Sequence, residues 1–296
     1  MTQVGVDRVL ESPGGRRVSV WDGGDPAGVP VLFHHGTPSS RLQAHLGHEA
    51  AVRQRVRLVS VNRPGYGAST NTPPSIALVG DDSIVIADEL GIDDFAVLGV
   101  SGGGPYAVAT GLAAPARTRA VGIAAGTGPW RLVEPGDDEE RRLLALADAG
   151  QLSECLAGFR ELAAREMDPL LALDDAEMVT AYFEGAPAGD VGWLDDHATM
   201  VWAADMRDAL TTYDGYARDN VAWGGVWDID VARLTPPTWL WYGADDLIVP
   251  ASHGHWLAAR IPHATLEVRP GAGHGSTSFG HWDEMLATLR DRQLSS

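Results

Sequence analysis

The sequence predicts an α/β fold: a mostly parallel, doubly wound sheet of about eight strands, interrupted by an all-helical insertion. Three observations carry this reading. Short β-rich runs alternate with helix-like runs over the first 126 residues and again beyond residue 235, the pattern of parallel strands joined by crossover helices. Several of the strand runs are almost continuously apolar, as strands covered on both faces are. From Thr127 to Arg233 the periodicity is helical and no convincing strand appears.

In chain order, an amphipathic hairpin turned at "SPGG" comes first, and its second arm, RRVSVWD, lies near the sheet edge. Strands follow in VPVLFHHG, VRLVSVNRPG, FAVLGVS and TRAVGIAAG. Helices between them are expected in SSRLQAHLGHEAAVRQ, DDSIVIADEL and GPYAVATGLAA, each entered through Ser, Asp, Gly or Pro near the first turn. The insertion contributes helices in DEERRLLALADAG, LSECLAGFRELAARE, DDAEMVTAYFEG and WLDDHATMVWAADMRDAL. Strands PTWLWYGAD and ATLEVRPG flank the helix ASHGHWLAARI, and SFGHWDEMLATLRDRQ closes the fold. Gly and Pro punctuation in "GTGPW" and "ARLTPP" divides the chain into a core (1–126), a helical unit (127–233) and the rest of the core (234–296).

The 296 residues carry 22 basic and 40 acidic side chains, a net charge of −18 that repels phosphate backbones and anionic headgroups. Nucleic acid and membrane surfaces are therefore not expected partners. Every basic residue is Arg, and the lack of Lys removes Schiff-base chemistry, the P-loop lysine and the Ser-x-x-Lys nucleophile pair. Cys155 is the only cysteine, which rules out an intrachain disulfide and a Cys-rich metal site and leaves a small apolar residue. No run of 18 apolar residues occurs, and the N-terminus lacks a basic start followed by an apolar core. A soluble, cytoplasmic protein is expected.

The stretch "LGVSGGGPYA" sets one serine among four glycines, directly after an apolar strand and before a helix. It fits Gly-x-Ser-x-Gly, in which a strand turns sharply into a helix and presents the serine at the tip. A side chain at Gly99 or Gly103 would collide where strand and helix pack closest. Pro105 falls in the first helical turn, where its missing N–H costs little. A serine hydroxyl is a weak nucleophile at neutral pH and needs a base, which in turn needs an orienting acid. Asp245 and Asp246 lie just past a strand end in "WLWYGADDLIVP", and His274 sits among glycines in "GAGHGS" after the last strand.

With "HHGTP", "NRPGYG", "GVSGGG", "YGADDLIVP" and "GAGH" in that order, the chain resembles capped members of the α/β-hydrolase family over nearly its whole length. The resemblance implies Ser101 as nucleophile, Asp246 rather than Asp245 as acid, and His274 as base. It also implies oxyanion donors in the backbone N–H groups of Gly102 and Thr37, next to a Pro38 that admits a cis bond. No metal or organic cofactor is implied. His34 and His35 face opposite sides of a strand and cannot easily share an ion. "HGH" at His253–His255 reads as a solvated turn opening a helix.

Placed after TRAVGIAAG, the helical insertion would form a lid over the carboxyl ends of the strands. Its aromatics Tyr182, Phe183, Trp193, Trp202, Tyr213, Tyr216, Trp223 and Trp227 either line an apolar cavity or pack the lid onto the core. Substrate contacts are expected from His35, Tyr182, Trp193, His197, Trp202 and Trp223. Lid carboxylates such as Glu184, Asp195, Asp196, Asp205 and Asp208 would disfavour anions if they face inward. The expected reaction is hydrolysis of a neutral or cationic, partly apolar small-molecule ester or lactone through an acyl-enzyme on Ser101. The alternatives are a proline-iminopeptidase-like aminopeptidase, a C–C bond hydrolase and a non-catalytic ligand receptor on the same fold. The aminopeptidases usually show a bulky aromatic after the serine, where Gly102 stands here. Epoxide hydrolases and haloalkane dehalogenases place an aspartate at the nucleophile position. Oligomeric state has no marker in the sequence.

Overall fold

A computed structural model describes residues 5–12, 14–134 and 136–294. The strands are β1 (Val6–Ser12), β2 (Arg16–Gly24), β3 (Val29–His34), β4 (Val56–Val61), β5 (Phe95–Val100), β6 (Thr118–Ala124), β7 (Thr238–Gly243) and β8 (Ala264–Arg269). They form one sheet in the order β1-β2-β4-β3-β5-β6-β7-β8, antiparallel at the two β2 pairings and parallel elsewhere. The α/β expectation therefore holds, and the strands fall where the apolar runs placed them. Of the "SPGG" turn, Pro13 lies outside the described residues, while Gly14 and Gly15 take φ of +89° and +77°.

The core helices are α1 (His48–Gln54), α2 (Ile76–Glu89) and α3 (Gly104–Ala113), and the block between β6 and β7 holds α4 (Trp130–Val133), α5 (Asp138–Asp148), α6 (Leu152–Leu171), α7 (Asp175–Tyr182), α8 (Asp196–Ala209) and α9 (Asp214–Gly224). After β7 come α10 (Ala251–Ala258), α11 (His274–Phe279) and α12 (Trp282–Leu294). Alternate strand residues feed two cores. Val31, Phe33, Leu58 and Leu98 pack under α1 and α12, whereas Leu32, Val59, Val61 and Val97 pack under α2, α3 and α10. Cys155 is buried with Phe159, Leu162 and Ala217 in a smaller cluster within the block. Among the described residues no helix is long and apolar enough to cross a membrane.

Three differences from the sequence reading have physical causes. The helix expected across residues 39–54 breaks at Gly47 into a 3₁₀ segment (Arg41–Gly47) and α1, because Gly47 lies against Trp282, where a Cβ would meet the ring at 2.6 Å. Helix α2 begins at Ile76 rather than Asp81. Ser75 caps the Leu78 N–H, and Asp228, 152 positions from Ile76, accepts from the Ile76 N–H. Helix α9 has no counterpart in the sequence reading, because its buried face carries Arg218, Asp219 and Asn220 and so lacks an apolar stripe.

Strand β5 runs through a 3₁₀ turn (Ser101–Gly103) directly into α3. A Cβ on Gly103 would lie 2.1 Å from the His34 carbonyl oxygen, and one on Gly99 would lie 2.5 Å from the Gly103 carbonyl oxygen. Both obstacles are backbone and cannot swing away. Gly103→Ala is expected to cost about 3 kcal/mol or to prevent folding, read as a lower urea midpoint.

Candidate active site

Ser101 holds a φ of +53°, a left-handed conformation that a non-glycine residue adopts only under constraint. Its Oγ lies 3.0 Å from His274 Nε2, and His274 Nδ1 lies 2.8 Å from Asp246 Oδ2. The other carboxylate oxygen, Oδ1, accepts the Ile248 and Val249 N–H groups, each at 2.8 Å, so the acid is fixed by backbone donors. Asp246 is buried, whereas Asp245 is exposed. An ionised Asp246 requires the proton on Nδ1, which leaves the Nε2 lone pair facing the serine hydroxyl. The glycines flanking His274 admit Asp190, from the segment after α7. A Cβ on Gly273 would meet the Asp190 carboxyl carbon at 2.6 Å, and Asp190 Oδ1 accepts the Ser276 N–H at 2.7 Å.

On the other side of the serine, the Thr37–Pro38 peptide is cis, and Gly102 abuts Thr37 so closely that a Cβ would sit 2.5 Å from Thr37 Oγ1. The Thr37 N–H meets no acceptor among the described residues. Its hydroxyl donates to Asp219 Oδ2 at 2.8 Å and accepts from Arg63 Nη2 at 2.9 Å. Arg63 and Asp219 form an ion pair at 2.6 Å with both side chains fully buried. Tyr66 and Tyr106 hydroxyls donate to the same carboxylate at 2.9 and 2.6 Å. Burial, reinforced by Asp219, pushes both phenols well up, which keeps them as donors. Neither Arg63 nor Asp219 was marked by the sequence as part of the site. The signal that was available is Gly215 and Asp219 at i,i+4 on one helix face. Gly215 lets α9 meet the Tyr66 ring, where a Cβ would lie 2.6 Å away, and Asp219 then reaches in one turn later.

Asp205 of α8 enters the same loop further along. Its carboxylate accepts from Ser39 Oγ at 2.5 Å, Ser40 Oγ at 2.7 Å and the Ser40 N–H at 2.8 Å. Burial raises this carboxyl from its ordinary 3.8 to about 7, with nearby Asp208 adding to the rise and the serine donors opposing it.

The other expected contact residues separate into groups. Tyr182, Phe183, Trp193 and Trp202 form one aromatic cluster with Phe279, centroids 4.6 to 5.8 Å apart. Trp223 packs on Trp130 instead, and His197 is exposed at the start of α8. His35 is buried beneath the loop, its Nδ1 2.9 Å from the Gly36 carbonyl oxygen. Burial lowers it far below an ordinary imidazole, with Arg63 adding to the effect. His253 is not a solvated turn. It is buried against Trp130 and accepts the Gly128 N–H at 2.9 Å, and its burial lowers it to about 4. No local pattern marks that partner, which lies 125 positions away. Of the five acidic residues that would disfavour anions if turned inward, Asp205 is buried; Asp208 pairs with Arg41, Asp195 caps α8, and Glu184 and Asp196 are exposed.

Fold and site together define an α/β protein with a Ser–His–Asp hydrogen-bond chain at the carboxyl edge of a parallel sheet. A model described as "Alpha/beta hydrolase family" matches residues 31–288, and the chain belongs to that family. It is 28% identical over 269 residues to the "Putative carbamate hydrolase RutD" of Caulobacter sp. (strain K31), covering 84% of this chain and 91% of that one. It is 27% identical over 308 residues to a "2-hydroxy-6-oxononadienedioate/2-hydroxy-6-oxononatrienedioate hydrolase" of Cupriavidus pinatubonensis, covering 97% of each. In fold it is similar to a putative aryl esterase from Burkholderia cenocepacia, with a TM-score of 0.66, 19% identity and coverage of 98% and 100%.

The Asp205 shift has a sign that can be measured. Its carboxyl titrates near 3.8 when exposed, so between that value and about 7 the folded protein holds a proton that the unfolded chain has lost. Its contribution is full below pH 4 and is lost as pH rises through 7. Asp205→Asn cannot ionise. Its stability relative to the parent should therefore improve by on the order of 4 kcal/mol between pH 4 and pH 8, read by urea denaturation across that range.

Proposed function

We propose that the protein is a serine hydrolase that cleaves a neutral or cationic, partly apolar carboxylic ester or lactone through an acyl-enzyme on Ser101. The observation that carries the reading is the chain Ser101 Oγ–His274 Nε2 at 3.0 Å and His274 Nδ1–Asp246 Oδ2 at 2.8 Å, at a strained elbow beside the Thr37 and Gly102 amides. His274 takes the serine proton as Oγ bonds to the ester carbon, and the carbonyl oxygen turns to an oxyanion facing the two amides. The same imidazole then protonates the leaving alcohol. Water repeats the cycle with His274 as base, which releases the acid and restores Ser101.

The helical unit, residues 127–233, acts in this reading as a cap set into a core of 1–126 and 234–296. Support comes from its carboxylates: Asp190 bonds the first turn of α11, and Asp205 and Asp219 bond the loop after β3. The aromatic cluster around Trp202 adjoins Phe279 at the end of α11, whose first residue is His274, and offers an apolar wall to one side of the substrate. A dioate, as in the name of the Cupriavidus relative, fits less well. Arg63, the arginine that bonds the Gly36–Thr37 loop, is already paired with Asp219, which favours a substrate without a carboxylate of its own. The residue after the nucleophile is held to glycine by Thr37, which disfavours the aminopeptidase pattern.

A short nitrophenyl ester should give a burst of nitrophenol with an amplitude matching the enzyme, and a fluorophosphonate should label Ser101 stoichiometrically. Ser101→Ala should abolish both, lowering turnover by on the order of 10⁵-fold. A panel of esters, lactones, carbamates and aminoacyl anilides then ranks the acyl groups. No turnover on the panel and no labelling would instead identify a ligand receptor.

A further inference from the structure

The Gly36 carbonyl and the Thr37 N–H belong to one trans peptide unit, so they point in opposite directions across its plane. Arg63 Nη2 donates to that carbonyl at 2.8 Å, and Nη1 donates to the His35 carbonyl at 2.5 Å. The guanidinium thus holds the oxygen end of the peptide inward, which turns the N–H end outward to the serine side. A cation bonded to the carbonyl also polarises the peptide and makes its N–H a stronger donor. Arg63 cannot hold this position alone. Its Nε and Nη2 both donate to Asp219 Oδ2, at 2.9 and 2.6 Å, and Asp219 also receives the Thr37 hydroxyl at 2.8 Å. Asp219 lies on α9, in the helical block, 156 positions from Arg63.

We propose that Asp219 is a positioning residue for the reaction: through Arg63 and the Thr37 hydroxyl it orients and polarises the Gly36–Thr37 peptide, so that the helical block sets one of the two oxyanion donors. This rests on the acyl-transfer reading above. It gives the block a part in transition-state stabilisation that is separate from binding the substrate.

A trifluoromethyl alkyl ketone and its unfluorinated analogue separate the two effects. Ser101 Oγ bonds to the trifluoroketone carbon, its proton passes to His274, and the carbonyl oxygen becomes an oxyanion. The unfluorinated ketone binds without that step. Asp219→Asn should lower kcat on the nitrophenyl ester about 10- to 100-fold and weaken the trifluoroketone by the same factor. KM and the unfluorinated ketone should stay within about twofold. Thr37→Val, which leaves the buried ion pair whole, should shift the same two quantities in the same direction, and it carries the test alone should Asp219→Asn not fold. Asp219→Ala should lose more than Asp219→Asn, which keeps the shape and an accepting oxygen. Wild-type kcat and trifluoroketone affinity in Thr37→Val, or equal weakening of both ketones, overturns the proposal and leaves the ester reading intact. A parent protein that neither turns over the ester nor binds the trifluoroketone overturns both.

Discussion

The buried Arg63–Asp219 pair is the interaction on which the site depends. Removing two charges from water costs several kcal/mol per ion, and only close geometry with further hydrogen bonds offsets it. Here the carboxylate collects Arg63, Thr37, Tyr66 and Tyr106. Those donors come from the turn after β4, the loop after β3 and the helix that follows the serine. One side chain of the helical block therefore joins the pieces that surround Ser101. The cost of burying it is tolerable only when all of them are in place, so the arrangement is closer to all-or-none than to a sum of separate contacts.

Strand positions and the Ser101, Asp246 and His274 positions were legible because each rests on a local pattern. A strand covered on both faces is an apolar run whatever it packs against, and the elbow, the acid loop and the histidine loop are short motifs with their own glycines. The rest was written in partners far along the chain. Asp228 caps α2, Gly128 bonds His253, and Asp219 meets Arg63, each more than a hundred positions away. Helix α9 was hidden for a related reason: it turns an arginine, an aspartate and an asparagine inward, and a buried polar face has no periodic apolar signal.

The same structure revises the meaning of some glycines. The glycines beside His274, Gly273 and Gly275, make room for Asp190. Gly102 answers to the Thr37 side chain, which is itself held by Asp219 and Arg63. The small residues around Ser101 and His274 are thus shaped by what reaches toward them from elsewhere in the chain.

Asp190, Asp205 and Asp219 stand on three separate segments of the helical block, and each reaches a different stretch of the loops below. A block of this kind is not an interchangeable module. A transplanted block that lacked these three carboxylates would strand Arg63 without its counter-charge and leave the Ser40 and Ser276 amides without acceptors. A working transplant would therefore have to supply those carboxylates or bring the receiving loops along with the block.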